Sequence, residues 1–85
     1  MCTYSTEKVA LARSSGKTRD GWATVSEATV YYDHPVHAPD AHTVNIDFLA
    51  PERGPASRIA VELSLDSARE LLAALQTTVE RAKFH

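Results

Sequence analysis

Cysteine is nearly absent from this chain, and its scarcity excludes two classes of protein. Cys2 is the only cysteine in 85 residues, so no internal disulfide can form and a zinc ribbon built on several thiolates is excluded. Long apolar runs are missing too, because no stretch approaches the roughly 18 residues of a membrane-spanning helix. The sequence therefore predicts a soluble protein with no membrane partner.

A secretion signal and a basic stripe are also lacking. The opening residues Met-Cys-Thr-Tyr-Ser-Thr-Glu-Lys have neither a basic start nor an apolar stretch, which predicts a cytoplasmic location. Nine Lys and Arg residues are scattered along a chain of net charge -2, so nucleic acid is not an expected partner. Gly16-Lys17-Thr18 lacks the first glycine and the following helix of a phosphate loop, and the match carries no weight.

The size of the chain limits its core. Residues 1–85 form a single domain, and an apolar fraction of 44% with a charged fraction of 24% is typical of globular proteins. A domain this small buries only about 60 to 65% of its unfolded surface. A second chain could help to cover the core, so a homodimer is one expectation.

Alternating polar and apolar residues predict four strands. In the second, Ala28, Val30 and Tyr32 share one face, and in the third Val44 and Ile46 do the same. A hairpin must turn the apolar sides of both strands the same way, which favours pairings such as Val30 with Ile46 and Asp33 with Thr43. The predicted strands cover residues 3–11, 27–33, 42–49 and 58–63, with a polar connection at 14–21.

The last segment changes to a helical period. Apolar residues recur at spacings of three and four from Ala68 to Ala82, with Ser64 as the expected N-cap and Asp66 in the first turn. Ser67 and Glu70 offer a second capping box, which leaves the start of the helix open by about three residues.

Together these elements predict an α+β protein in two layers, a mostly antiparallel four-stranded sheet with one C-terminal helix on one face, in the order ββββα. The opposite face is polar enough to meet water, although Thr29, Tyr31, Thr43 and Asn45 could equally line a partner surface. Solvated carboxylates keep ordinary pKa values, so this face is a weak candidate for acid-base catalysis. The residues considered on the polar face are Glu27, Tyr31, Asp47 and Glu62.

The single tryptophan, Trp22, is interpreted as an anchor at the edge of the core.

Three of the four histidines lie within nine residues at the tip of the predicted hairpin, and two prolines stiffen this segment. Imidazole binds Zn, Fe, Cu or Ni, and three imidazoles, or two with a carboxylate, leave coordination positions open for water or substrate. The predicted metal ligands are His34, His37 and His42, with Asp33 or Asp40 as a further ligand and Cys2 as a speculative one.

Two other interpretations of this histidine segment stay open. The spacing His-x2-His-x4-His is not diagnostic of a metal site, and His34 and His42 could instead hydrogen-bond backbone groups in a tight loop. One histidine could also act as an acid-base catalyst without a metal. The sequence therefore leaves three hypotheses: a metal-binding protein or metal-dependent enzyme, a dimeric or partner-binding module, and a metal-free catalyst.

Several runs of the sequence resemble a family of short actinobacterial proteins of unknown function. They are MCTYSTEK at the start, ATVYYDHPVHAP across the histidine segment, HTVNIDF in the third strand and RGP in the turn after it. The resemblance spans most of the chain and implies a free-standing intracellular bacterial protein, sometimes encoded near genes of specialised metabolism. It implies no particular activity, so it assigns no catalytic residue.

Overall fold

The protein folds as a four-stranded antiparallel sheet with one C-terminal helix, as the α+β prediction states. A computed structural model describes residues 5–34, 42–54 and 57–83. Strands of the sheet stand in the order β1-β4-β5-β6, and every neighbouring pair is antiparallel. The elements are β1 Ser5–Ala10, β2 Ser15–Thr18, β3 Gly21–Thr24, β4 Glu27–Asp33, β5 Thr43–Leu49, a short 3-10 helix Pro51–Arg53, β6 Arg58–Leu63 and α1 Leu65–Ala82.

The predicted register of the central hairpin is confirmed. Val30 stands opposite Ile46, and Asp33 opposite Thr43, at the ends of β4 and β5. The reason is the two-residue period of a strand, because any shift by one residue would turn the apolar side chains of β5 to the other face. The histidine segment therefore connects the paired ends of these two strands.

The polar connection predicted at 14–21 is wrong, because the chain forms a second, two-stranded sheet there. Strands β2 and β3 pair antiparallel, and Thr18 Oγ1 donates a hydrogen bond of 2.7 Å to the carbonyl oxygen of Gly21 across the turn. Gly21 has φ of 114°, a conformation that favours glycine. A Cβ at Gly16 would lie 3.1 Å from Ile59 Cδ1, so glycine allows this hairpin to pack closely against β6.

Helix α1 begins where the sequence predicts. Ser64 is the N-cap, and its hydroxyl oxygen accepts a hydrogen bond of 3.2 Å from the backbone N–H of Ser67. Asp66 lies in the positively polarised first turn and Arg81 in the last, both favourable to the helix dipole. The alternative start at Ser67 is therefore not used.

The apolar core is thinner than the sequence suggested. Among the described residues, the buried apolar side chains are Ala23, Val25, Ala28 and Ala50, all small, and α1 contributes no buried residue. An apolar groove of about 370 Å3 separates the first half of α1 from the sheet. Trp22, expected at the core edge, is 64% exposed. The groove is lined by Val30, Val44, Ile46, Leu63, Leu65, Ala68, Arg69, Leu71, Leu72 and Leu75.

The opposite face of the sheet is the more deeply buried one, which corrects the expectation that it meets water. On β5, Thr43 is 0%, Asn45 3% and Asp47 7% exposed, and Asp33 of β4 is 5% exposed. Because β5 lies inside the sheet, larger side chains on both neighbouring strands flank this polar row. Burying polar atoms costs free energy unless hydrogen bonds replace those to water, so the contacts of this row decide its role.

Candidate functional site

The paired ends of β4 and β5 bring two of the predicted ligands together. The rings of His34 and His42 have centroids 4.6 Å apart with planes inclined by 32°. On the other side, the ring of Tyr32 stacks on His42 at 5.6 Å. The register explains this proximity, because each histidine immediately adjoins one member of the terminal Asp33 and Thr43 pair.

Asp33 holds the backbone at the base of this histidine pair. Its Oδ1 accepts a hydrogen bond of 2.7 Å from the backbone N–H of His34, and the residue is buried. Such a bond restricts the chain as it leaves β4 and so limits where the His34 ring can lie. The predicted role of Asp33 as a metal ligand stays a prediction.

The remaining predicted ligands, His37, Asp40 and Cys2, lie outside the described residues. Within residues 5–34, 42–54 and 57–83, no group of three or more His, Cys, Asp and Glu side chains is arranged to hold a metal ion. The structure thus gathers His34, His42 and Asp33 at one end of the hairpin. The three-histidine site stays a prediction.

A second polar cluster, which the sequence had ranked low, lies on the buried face of the sheet. Asp47 Oδ2 accepts a hydrogen bond of 2.6 Å from Arg58 Nη1 and another of 3.3 Å from the Tyr31 hydroxyl. These three side chains come from β5, β6 and β4, so one carboxylate ties three strands together. The other carboxylate oxygen, Asp47 Oδ1, is buried without a hydrogen-bond partner.

The surroundings of Tyr31 change its acidity. Burial raises the pKa of the Tyr31 phenol above its ordinary value, the negative charge of Asp47 raises this pKa further, and Arg58 acts in the opposite direction. The phenol therefore stays protonated and donates to the carboxylate. The sequence did not predict this change, because a polar sheet face is ordinarily solvated, although Asp47 and Arg58 share a face at neighbouring register positions.

Thr43 and Asn45 continue the polar row towards the histidine pair. The Thr43 hydroxyl donates a hydrogen bond of 2.9 Å to Asn45 Oδ1, and Asn45 Nδ2 donates one of 3.4 Å to the Thr43 carbonyl oxygen. Thr43 and Asn45 thus use these groups in hydrogen bonds to each other within β5, so the same groups are not directed at a ligand. Their arrangement supports a structural role for this part of the row.

The fold and these clusters define a small two-layer α+β protein with a histidine pair at the end of its central hairpin. A family model described as "Family of unknown function (DUF6295)" matches residues 1–85, and the chain belongs to that family. No match to a curated protein or to a solved structure was found. No helix in the described part of the chain is long and apolar enough to cross a membrane. The actinobacterial source implied by the resemblance stays a prediction.

Proposed function

We propose that this protein acts as a self-associating module, in which two copies dimerise through helix α1 and the apolar groove beside it. The observation that carries the proposal is the exposure of large apolar side chains on α1. Leu72 is 64% and Leu75 61% exposed, and Leu65, Leu71 and Val79 are exposed as well. Contiguous exposed apolar surface of this kind is typical of protein interfaces and is rare on monomers.

The surface area of the chain supports an interface of the right size. A folded monomer of 9.3 kDa is expected to expose about 5,000 Å2, whereas this chain exposes 6666 Å2. The excess of roughly 1,700 Å2 exceeds the roughly 800 Å2 that each partner buries in a standard interface. Burying about 800 Å2 on α1 and its groove would therefore remove about half of this excess.

The sequence of α1 favours a second copy as the partner. Its apolar residues at spacings of three and four form a heptad stripe, the pattern that packs one helix against another. The stripe is symmetric about the middle of the helix, so an antiparallel copy would place Leu72 against the partner's Leu75 and Leu65 against the partner's Ala82. The stripe consists of Leu65, Ala68, Leu72, Leu75, Val79 and Ala82.

The charges at the ends of α1 do not obstruct the antiparallel arrangement. Asp66 of the first turn and Arg81 of the last turn lie on the side of the helix away from the stripe, so neither charge would be buried between the two copies. The helix dipoles of the two copies would also be opposed. A helix of 18 residues is about 27 Å long, which is enough to form this contact along its full length.

Substitution of one leucine tests the proposal. Leu72→Glu would place a charge at the centre of the stripe, and we expect the dimer to dissociate because a buried unpaired carboxylate costs several kcal/mol. Size-exclusion chromatography with light scattering measures the mass. The matched control is Thr77→Glu, which adds the same charge on the side of α1 away from the stripe and should leave the dimer intact. Equal masses for both variants and the unmodified chain would contradict the proposal.

The histidine pair supports a second candidate function, the binding of a divalent transition metal. Ring centroids 4.6 Å apart are compatible with two imidazoles that share one ion, because each ligating nitrogen would lie about 2 Å from it. A third ligand would come from His37, Asp40 or Cys2, and the ion could be Zn, Fe, Cu or Ni. The alternative of a metal-free acid-base histidine at the same place is a further proposal, as is a cytoplasmic location.

Metal binding can be measured on untagged protein. If the site exists, the chain should bind close to one equivalent of Zn, and His34→Ala should abolish this binding because a site with one imidazole fewer binds weakly. His85→Ala provides the control, since it removes the histidine that lies outside the segment. Titration calorimetry that detects no Zn binding, or equal losses in both variants, would leave only the structural interpretation of the pair.

A further inference from the structure

A cavity of about 560 Å3 lies between the β2–β3 hairpin, the 3-10 helix and the start of β6. We infer that it binds a small molecule carrying a phosphate group. The inference goes beyond self-association, because none of the lining residues belongs to α1. The cavity is lined by Lys17, Thr18, Arg19, Asp20, Arg53, Ser57, Arg58 and Ile59.

The charge of this lining is opposite to that of the whole chain. Four of the eight lining residues are basic and one is acidic, which gives a formal charge of +3 in a protein whose net charge is -2. Asp47 pairs with Arg58 and reduces the effective charge to +2. Nearly half of the nine basic residues thus surround one cavity. A concentration of cations on a concave surface attracts anions.

Several of these cations have hydrogen-bond donors to spare. Arg53 uses one guanidinium nitrogen to donate a bond of 2.7 Å to the carbonyl oxygen of Trp22, and its other N–H groups are available. That bond fixes the guanidinium between the 3-10 helix and β3. Within the part of the chain that the structure describes, Lys17 and Arg19 form no ion pair, not even with Asp20. The cavity therefore combines a guanidinium that a hydrogen bond holds in place, that of Arg53, with two cationic side chains that can adjust to a ligand, Lys17 and Arg19.

The chemistry of the lining favours phosphate. A guanidinium presents parallel N–H donors that match two oxygens of a phosphate, and a lysine adds a point charge. A phosphate monoester carries a charge of about -1.5 to -2 at neutral pH, close to the charge that the lining provides. The volume lies within the range of roughly 300 to 1,000 Å3 typical of small-molecule sites, so the ligand would include more than the phosphate alone.

Nuclear magnetic resonance titration of the full chain tests this inference, with inorganic phosphate and pyrophosphate as probes at constant ionic strength. We expect saturable shifts of the amide signals of residues 17–20, 53 and 57–59, and none with equivalent NaCl. Arg19→Gln should weaken the apparent affinity about tenfold, because one charge-assisted hydrogen bond is lost. Lys17→Gln should act in the same direction and guards against a folding defect in the first variant.

Arg69→Gln is the control, because it removes the same charge from α1 and should change the affinity less than about twofold if only the cavity binds. Shifts that never saturate, or an equal loss in Arg69→Gln and Arg19→Gln, would overturn the inference, since both indicate unspecific attraction. Tighter binding of a single-stranded oligonucleotide, weakened by every one of these variants, would also overturn it in favour of a nucleic-acid surface.

Discussion

At the scale of single residues, Asp47 is a buried carboxylate with one oxygen that lacks a hydrogen-bond partner. Its carboxylate is buried, yet only one of its two oxygens has hydrogen-bond donors, Tyr31 and Arg58. The ion pair with Arg58 is partly screened because that side chain is half exposed, so its net contribution to stability is small. The Tyr31 hydroxyl is accordingly the contact whose removal should be easiest to interpret.

Tyr31→Phe should lower the free energy of unfolding by about 1 kcal/mol, because Asp47 loses one of its two donors. Denaturation in urea measures this change. The same substitution in an Asp47→Ala background is the control, and there its effect should be close to zero. Equal effects in both backgrounds would show that the hydroxyl stabilises the protein through another contact.

The raised pKa of Tyr31 also predicts a dependence on pH. The folded chain holds this proton more tightly than the unfolded chain does, so the associated stability is complete below about pH 10 and is lost as the pH rises through the folded pKa. We expect the free energy of unfolding to fall more steeply above pH 10 in the unmodified protein than in Tyr31→Phe. Identical slopes would contradict the assignment.

At the scale of elements, α1 depends on its cap because none of its residues is fully buried. Ser64→Ala removes the acceptor for the backbone N–H of Ser67 and should cost about 1 kcal/mol in the free energy of unfolding. Circular dichroism during thermal unfolding reports the change. Ser67→Ala is the matched control, because only the backbone of Ser67 takes part in the cap. A larger loss in the control would show that the helix starts differently.

The β2–β3 hairpin shows where element prediction from sequence fails. Its strands, Ser-Gly-Lys-Thr and Gly-Trp-Ala-Thr, are short and rich in glycine and polar residues, so their composition favours a loop. They form strands because of tertiary contacts: Gly16 permits a close approach to Ile59, and the Arg53 guanidinium donates a hydrogen bond to the carbonyl oxygen of Trp22. Neither contact is visible in the local sequence, whereas the alternation in β4 and β5 was sufficient to predict which face each of their residues occupies.

At the scale of the whole molecule, the sequence predicts which residues share a face of the sheet, but it does not predict which of the two faces is buried from solvent. Alternation places Val30 and Ile46 on the same face, in agreement with their observed pairing. The burial of Asp47 does not follow from alternation, because it depends on Tyr31 and Arg58, which the chain brings in from strands on both sides. The cations of the cavity are likewise separated by more than thirty residues, as Arg19 and Arg53 are, and only the fold collects them.

The histidine pair was predictable in part. His34 and His42 were expected to be close because they adjoin the paired ends of β4 and β5, and their rings are in contact. The stacking of Tyr32 on His42 was not foreseen, since it depends on the direction of each ring. Whether these imidazoles bind a metal depends on ligands that the pairing of strands does not position.

In this molecule large apolar side chains of α1 are exposed, whereas the row of polar side chains on β5 is buried. A radius of gyration of 14.2 Å, against about 12 Å expected for a compact chain of this length, agrees with the excess exposed area. A second copy on the exposed stripe of α1 would cover part of this apolar surface. Self-association would thus reduce the exposed apolar area of each chain.

Sedimentation equilibrium of the unmodified chain measures this self-association, over a range of concentrations and with a reductant present so that Cys2 cannot crosslink two copies. We predict a mass of about twice 9.3 kDa, with dissociation to the single chain only at the lowest concentrations. A constant mass of 9.3 kDa up to the highest concentration would contradict the account.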